Sequence, residues 1–201
     1  AAVAVIAGLR HRPAAALIPR LARHADPGVR QAACQLAGAL GRPEDLDQIL
    51  PLASDPDRQV ARAASLTLGR LGHRPAKPAI ETLLVRATPL ELPQIVEALL
   101  PVADDDTAVV LGRVAERCDE TGRIAIAEGL GQLDHLPAAA AVLARLARDI
   151  KPAVRLAVAS GLARREPDER TGSVLGMLAK DPDTRVRAAA EEGLKAFEAG
   201  W

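Results

Sequence analysis

The chain has 201 residues, of which 49% are hydrophobic and only two, Phe197 and Trp201, are aromatic. Its 26 lysines and arginines are balanced by 26 aspartates and glutamates, so it lacks the basic excess that favours nucleic-acid binding. No apolar run approaches the roughly 20 residues of a membrane-spanning helix, so no membrane segment is expected.

A turn followed by a small-residue helix recurs along the whole chain. In its last copy, Asp181 is followed at offsets five and six by Val186 and Arg187, and the same types begin again 32 residues earlier at Asp149. A second register comes from prolines that precede the helix pairs, namely Pro13, Pro43, Pro75, Pro137 and Pro167. A period of about 31 residues with two helical segments predicts an all-α solenoid.

Taken in order, the chain is predicted to begin with a lone helix in residues 1–12, which matches the second half of a repeat. Six helix-turn-helix repeats follow, at residues 13–42, 43–74, 75–103, 104–135, 136–166 and 167–201. We call the first helix of each repeat its A helix and the second its B helix. Because the chain starts without Met inside a helical pattern, we expect it to be an excised or trimmed piece of a longer protein.

Individual residues predict how these helices begin and bend. Pro19 lies inside the predicted A helix of repeat one, residues 14–23, and is expected to bend it. Asp26 is the predicted N-cap of the B helix of repeat one, and Ser54 or Asp55 that of repeat two. The three carboxylates of Asp104–Asp106 suit the positive end of a helix dipole, and they lack the further oxygen ligands of a cation site.

The phrase Asp-Pro-Asp-x-x-Val-Arg-x-Ala-Ala at Asp181–Ala190 and the phrase Leu-Gly-Arg-Leu-Gly at Leu68–Gly72 resemble the HEAT repeat family. The bacterial HEAT-like repeats of phycobilisome lyases look most similar. The resemblance covers nearly the whole chain and implies an α-solenoid wound into a right-handed superhelix. It is specific for the fold and weak for function, because repeats of this kind serve many roles.

The resemblance also implies a ladder in which the aspartate of one repeat meets the arginine of a neighbour. The matching positions are Asp55, Asp149 and Asp181 together with Arg30, Arg123, Arg155 and Arg187. Since His24, Arg86 and Arg117 stand at aspartate places, the ladder is expected to be interrupted there. Phosphate or partner binding is the alternative role of these arginines.

A row of equivalent residues is predicted on the B helices, six places after the valine marker. The row reads Gln35, Leu66, Glu97, Glu128, Ser160 and Glu192. At 100° per residue this place faces well away from the valine, and in the family the B helices form the concave surface. We therefore hypothesise a mildly acidic partner-binding groove centred on Glu97 and Glu128 and flanked by Gln94 and Glu91. An ordinary solvated helix face is the alternative.

No catalytic, cofactor-binding or metal-binding residue is predicted. His11 and His73 stand in the same inter-repeat turn, which indicates turn chemistry, and the common catalytic and phosphate-binding motifs are missing. Cys34 and Cys118 are expected to be buried thiols in a reducing cytoplasm.

The leading functional hypothesis is a non-enzymatic scaffold that holds a protein or peptide on its concave face as part of a larger bacterial protein. An enzyme on the same architecture is the alternative, either a HEAT-like DNA glycosylase or a bilin lyase. The neutral charge and the shortage of aromatics disfavour nucleobase recognition. A third hypothesis is end-to-end self-association through uncovered terminal helices.

Overall fold

The computed structural model describes residues 12–165 and 168–199, and within these ranges every regular element is helical. The α-helices are α1 Arg12–Ala15, α2 Ile18–Ala22, α3 Pro27–Leu40, α4 Pro43–Ile49, α5 Arg58–Arg70, α6 Lys77–Val85, α7 Leu92–Leu99, α8 Asp105–Ala115, α9 Glu120–Gly131, α10 Pro137–Leu146, α11 Pro152–Leu162, α12 Glu169–Leu178 and α13 Thr184–Ala199. Short 3₁₀ segments stand at Leu50–Ser54, Arg74–Ala76 and Leu100–Val102. The predicted all-α fold class is confirmed.

Within each unit, consecutive repeats pack A helix on A helix and B helix on B helix. The chain divides into two compact units: residues 1–86 with Glu97–Val102, and Ala87–Val96 with residues 103–201. In the first unit α2 contacts α4, and α3 contacts α5. In the second unit α8, α10 and α12 form one layer, and α9, α11 and α13 form the other. Each unit thus has the layered packing of an α-solenoid, whereas the right-handed superhelix and the single continuous domain stay predictions.

Apolar residues at helical spacing line the inner side of each B helix. On α5, Val60, Ala64 and Leu68 are almost fully buried, and α11 repeats the pattern at Val154 and Val158. Residues four apart lie on one face of a helix, so this spacing turns one stripe towards the A helices. The core is built mostly of Ala, Val, Leu and Ile, which lets the helices approach closely.

Aspartates cap the starts of several helices. The Asp26 side chain accepts a hydrogen bond of 2.7 Å from the Gly28 N–H at the start of α3, as predicted. The cap of α5 was predicted at the wrong residue. It is Asp57, whose Oδ1 accepts bonds from the backbone N–H groups of Gln59 and Val60. Ser54 and Asp55 do not cap this helix, because Asp55 is directed towards the preceding repeat.

Prolines break helices that the sequence predicts to be continuous. The predicted helix over residues 14–23 is divided, because α1 ends at Ala15 and α2 begins at Ile18 with Pro19 in its first turn. A proline cannot donate the bond that would join the two pieces. Pro51 and Pro101 stand in 3₁₀ segments at the ends of α4 and α7. The half repeat predicted at residues 1–12 and His11 lie outside the described residues, apart from Arg12.

Candidate binding surfaces

Three arginine–aspartate pairs connect consecutive repeats inside the two units. Arg155 donates two hydrogen bonds to Asp181, from Nε to Oδ2 at 2.6 Å and from Nη2 to Oδ1 at 2.8 Å. Arg30 binds Asp55 in the same way at 2.7 and 2.8 Å. Such two-pronged guanidinium–carboxylate pairs fix orientation as well as distance. Each arginine thus reaches forward, from its own repeat to the aspartate of the next.

The third pair, Arg123 with Asp149, has distances of 2.6 and 3.3 Å. In each of the three pairs the remaining nitrogen of the guanidinium, Nη1, donates to backbone carbonyls of the arginine's own turn, for example from Arg155 to the oxygen of Asp149 at 2.8 Å. The aspartate Oδ1 also accepts a backbone N–H two residues further on, as from Asp183 to Asp181. All three guanidinium nitrogens of each arginine are thus hydrogen-bonded within the protein, so the geometry favours a structural role over partner binding.

The pairs of Arg155 with Asp181 and of Arg30 with Asp55 change the pKa values of their members. The hydrogen bond from Arg155 lowers the pKa of Asp181, and the bond from Arg30 lowers the pKa of Asp55. The same bonds raise the pKa values of the two arginines. The charged form of each carboxylate is therefore favoured in the folded protein.

The fourth predicted ladder arginine has a different environment. Arg187 Nη1 donates to the oxygens of Asp181 and Pro182 at 2.6 and 2.9 Å, and in the described part of the chain it contacts no carboxylate. At the other end of the ladder, His24 stands at an aspartate place, and its Nδ1 accepts a bond from the N–H of Asp26.

Small residues make a second contact between the B helices, which the sequence interpretation missed. A Cβ added to Gly131 of α9 would lie 2.6 Å from the Cα of Gly161 on α11. At the next crossing a Cβ on Gly193 would lie 2.9 Å from the Cβ of Ala163. Both distances are too short for real side chains, so glycine is required for helices this close.

Arg165 was also missed. Its side chain is buried, and it donates to the backbone oxygens of Leu133, Asp134 and Leu136 at 2.7, 2.6 and 3.1 Å. The guanidinium thereby satisfies the carbonyls that end α9 and turn the chain into α10. Burial lowers the pKa of Arg165.

The predicted partner-binding row is divided between the two units. Gln35 and Glu97 belong to the first unit and are exposed. The second unit contains Glu128 and Glu192, both exposed, with Ser160 half-buried between them in chain order. Because Glu97 and Glu128 belong to different units, the groove centred on that pair stays a prediction.

Two flanking residues of the row have different roles. Glu91 Oε2 accepts bonds from the N–H and the hydroxyl of Thr88, at 3.0 and 2.8 Å. This is a capping box in front of α7, so the Glu91 carboxylate is engaged locally. Gln94 is exposed on the first turns of α7.

In the first unit the row meets a surface groove of about 590 Å³ between α3 and α5. Gln35 and Leu66, which hold equivalent places, both line it, together with Thr67 and Arg70. Leu66 is only 8% exposed, so the row is not a solvated face at this point.

The reactive side chains are scattered. Cys34 and Cys118 are free thiols, and burial raises the pKa of Cys34 to about 12 and also raises that of Cys118. Within residues 12–165 and 168–199, no three His, Cys, Asp or Glu side chains are grouped so that they could hold a metal ion. None of the described helices is long and apolar enough to cross a lipid bilayer.

Comparison with known proteins agrees with this architecture. The family model described as HEAT repeats matches residues 14–100 and 107–195. No curated protein sequence matches this chain.

Solved structures with similar folds include enzymes and designed proteins. Human deoxyhypusine hydroxylase in complex with glycerol has 25% identity and a TM-score of 0.52, over 96% of this chain and 76% of that one. A designed armadillo repeat protein has 15% identity and a TM-score of 0.56, over 90% and 98%. The CpcE–CpcF complex of phycocyanin lyase from Nostoc sp. has 17% identity and a TM-score of 0.52, over 95% and 84%. The last two likenesses concern the fold alone.

Proposed function

The chain belongs to the HEAT repeat family, and from that premise we propose that it is a non-enzymatic scaffold that binds a protein or peptide along the exposed face of its B helices. The observation that supports this most is the side-by-side packing of three B helices, α9, α11 and α13, which hold Glu128, Ser160 and Glu192 at equivalent places of the repeat.

Contacts within the protein fix the distance between the B helices that form this surface. The glycine contact between Gly131 and Gly161 and the pair of Arg155 with Asp181 both fix neighbouring repeats. Long polar side chains on rigid helices lose less freedom on binding than a flexible loop would. Such a preformed row suits an extended or helical segment of a partner.

The chemistry of the row indicates which residues the partner carries. Two of the three row places hold exposed carboxylates, Glu128 and Glu192, and none holds a cation, whereas the exposed cations Arg185 and Lys195 of the same helices stand outside the row. The complementary partner segment therefore has lysines or arginines that reach Glu128 and Glu192.

The absence of an enzymatic role is part of the proposal. It is supported by the buried Cys34 thiol, whose raised pKa keeps it protonated, and by the scattered histidines. The free thiols also support a reducing compartment such as a bacterial cytoplasm. End-to-end self-association stays a prediction.

The test is a charge reversal of the row with a matched control. The variant Glu128→Lys with Glu192→Lys is compared with Glu116→Lys with Glu169→Lys, which makes the same change of charge on or next to the A helices. Binding is measured by fluorescence anisotropy with a labelled 12-residue peptide of lysine, arginine and serine, and by capture from lysate of the source cells.

We expect the row variant to bind the peptide at least about tenfold more weakly and to lose specifically captured proteins, because two attractions become repulsions. The control should behave like the unmodified protein. Equal affinity of all three proteins for the peptide and identical captured proteins would refute the proposal.

A further inference from the structure

A second groove lies in the A layer of the second unit, on helices that the proposed function does not use. It has a volume of about 540 Å³ and runs between α10 and α12. Arg145 and Arg148 line one wall, and Val174 and Met177 line the other. Met177 is 39% exposed, so the apolar wall is open to solvent.

One cation of the groove is held in place. Arg145 Nη2 donates to the backbone oxygen of Gly112 at 3.0 Å, and its Nη1 lies 3.0 Å from Glu116 Oε1. A Cβ at Gly112 would lie 2.8 Å from Arg145 Nη2, so glycine at this place lets the guanidinium lie across α8. Arg145 therefore forms an ordered wall.

Arg148 of the groove, and Arg113 and Lys180 outside its lining, are available to a partner. Arg113, Arg148 and Lys180 are exposed, and their side chains make no ion pair with the described part of the chain. The two acids that follow them in sequence are already bound, Asp149 by Arg123 and Asp181 by Arg155. The C-terminal ends of these A helices therefore keep the exposed cations Arg148 and Lys180 without an ion pair in the described part of the chain.

The fold itself does not require these cations. One and two periods before Arg113, the equivalent places hold Thr82 and Pro51. The places equivalent to Arg148 and Lys180 hold Val85 and Ser54 in repeats three and two. The A helices of repeats two and three are thus uncharged at these places, whereas repeat one has Arg20 and Arg23 there and repeat four has Glu116 at the place of Arg148.

We propose that this groove binds an acidic peptide segment that carries one apolar side chain. The apolar side chain packs on Val174 and Met177, and flanking carboxylates meet Arg148 and Lys180. A nucleic acid is the weaker fit, because an aliphatic and thioether wall offers nothing to a phosphate backbone and the groove has no aromatic side chain for stacking. The proposal stands on the A layer and is independent of the B-helix function.

The experiment is a fluorescence anisotropy titration with a labelled 12-residue peptide of aspartate, glutamate and one central leucine. A second peptide has serine in place of the leucine, and a thymidine oligonucleotide of 12 nucleotides is the third probe. The variants are Arg148→Glu with Lys180→Glu, Met177→Ser, and the control Arg164→Glu with Lys195→Glu on the B helices of the same unit. Circular dichroism melts check that each variant is folded.

We expect the Arg148/Lys180 variant to bind the leucine peptide at least about tenfold more weakly, and the control within about twofold of the unmodified protein. Replacing the leucine in the peptide, or Met177 in the protein, should weaken binding severalfold, by about the same factor. Added salt should weaken binding to the unmodified protein, because exposed charges are screened.

Three results would overturn the proposal. Equal losses in the two charge variants would show that net charge alone is measured. Equal affinity for the serine and leucine peptides would remove the apolar contact. Tighter binding of the oligonucleotide than of either peptide would assign the groove to nucleic acid.

Discussion

Repeats five and three show two ways of closing the same kind of turn. In repeat five, Asp149 receives Arg123 from the preceding repeat, and Arg155 reaches Asp181 of the following one. Gly161 of the same repeat contacts the preceding B helix. Ala163 of the same repeat contacts Gly193 of the following one, so ion pairs and glycine contacts both join repeat five to its two neighbours.

Repeat three has no ion pair of this kind at its marker places, which hold Arg86 and Leu92. Its turn is closed locally by the capping box of Thr88 and Glu91. The small-residue contact is kept, since a Cβ on Gly69 would lie 2.3 Å from the backbone oxygen of Ala98. The difference teaches that close packing of neighbouring B helices occurs within both units, whereas the ladder is an addition that some repeats lack.

The largest expected effect comes from removing an ion pair. Arg155→Leu leaves Asp181 buried without its partner, so the free energy of unfolding should fall by about 3 kcal/mol. This is the low end of the usual range, because 12% of the Arg155 side chain is exposed. Urea unfolding measures it. Arg86→Leu, in repeat three, should change stability by less than about 0.5 kcal/mol. If both variants lose a similar amount of unfolding free energy, the ion pair does not distinguish repeat five from repeat three.

The next effect is a forced separation of two B helices. Gly131→Ala places a methyl group 2.6 Å from Gly161, and the clash should lower the free energy of unfolding by about 1–3 kcal/mol. Gly69→Ala should cost a similar amount, because repeat three keeps this contact. Thermal unfolding by circular dichroism measures both. If Gly131→Ala is as stable as the unmodified protein, the close approach is not required.

Part of the stabilisation by the Arg155–Asp181 pair should depend on pH. Because the pKa of Asp181 is lowered in the folded state, its contribution is complete above the ordinary value of about 3.9 and disappears as pH falls through the lower, folded value. The difference in unfolding free energy between the unmodified protein and Arg155→Leu should therefore shrink from pH 6 to about pH 2.5. A difference that stays constant over this interval would contradict the assigned ion pair.

The smallest effect should have the opposite sign. Among the described residues, no atom outside the helix's own nearby backbone lies within 4 Å of a Cβ added to Gly176 on α12, so Gly176→Ala should raise the unfolding free energy by about 0.5–1 kcal/mol. The variant is the matched control for Gly131→Ala, since the substitution is the same and only the space differs. If Gly176→Ala is also destabilised, the stability losses of Gly131→Ala and Gly69→Ala do not arise from clashes at the helix crossings.

Much of the architecture could be predicted because the marker residues recur. The spacing of Asp149 and Asp181 indicates the period, and Asp26 before Pro27 predicts the start of α3. The division at Ile18 was not predicted, because whether Pro19 bends a helix or begins a new one depends on what the preceding turn packs against.

The contacts between repeats were harder to predict. Glycines at Gly38, Gly69 and Gly131 recur 31 and 62 residues apart, and this signal was available. The sequence does not show whether another helix lies against such a glycine or whether it faces open space, as Gly176 does. Nor does the recurrence of aspartate and arginine show that each arginine reaches forward along the chain. The basic groove was missed because the charge balance of the whole chain conceals a local excess.

The two proposals together give the second unit two separate binding faces, an acidic row on the B helices and a basic groove on the A helices. A crossed titration distinguishes two faces from a single effect of net charge, with the basic and the acidic peptide each titrated against both charge-reversal variants. Glu128→Lys with Glu192→Lys should weaken only the basic peptide, and Arg148→Glu with Lys180→Glu only the acidic one. If each variant weakens or strengthens both peptides according to net charge alone, the two faces are not separate sites.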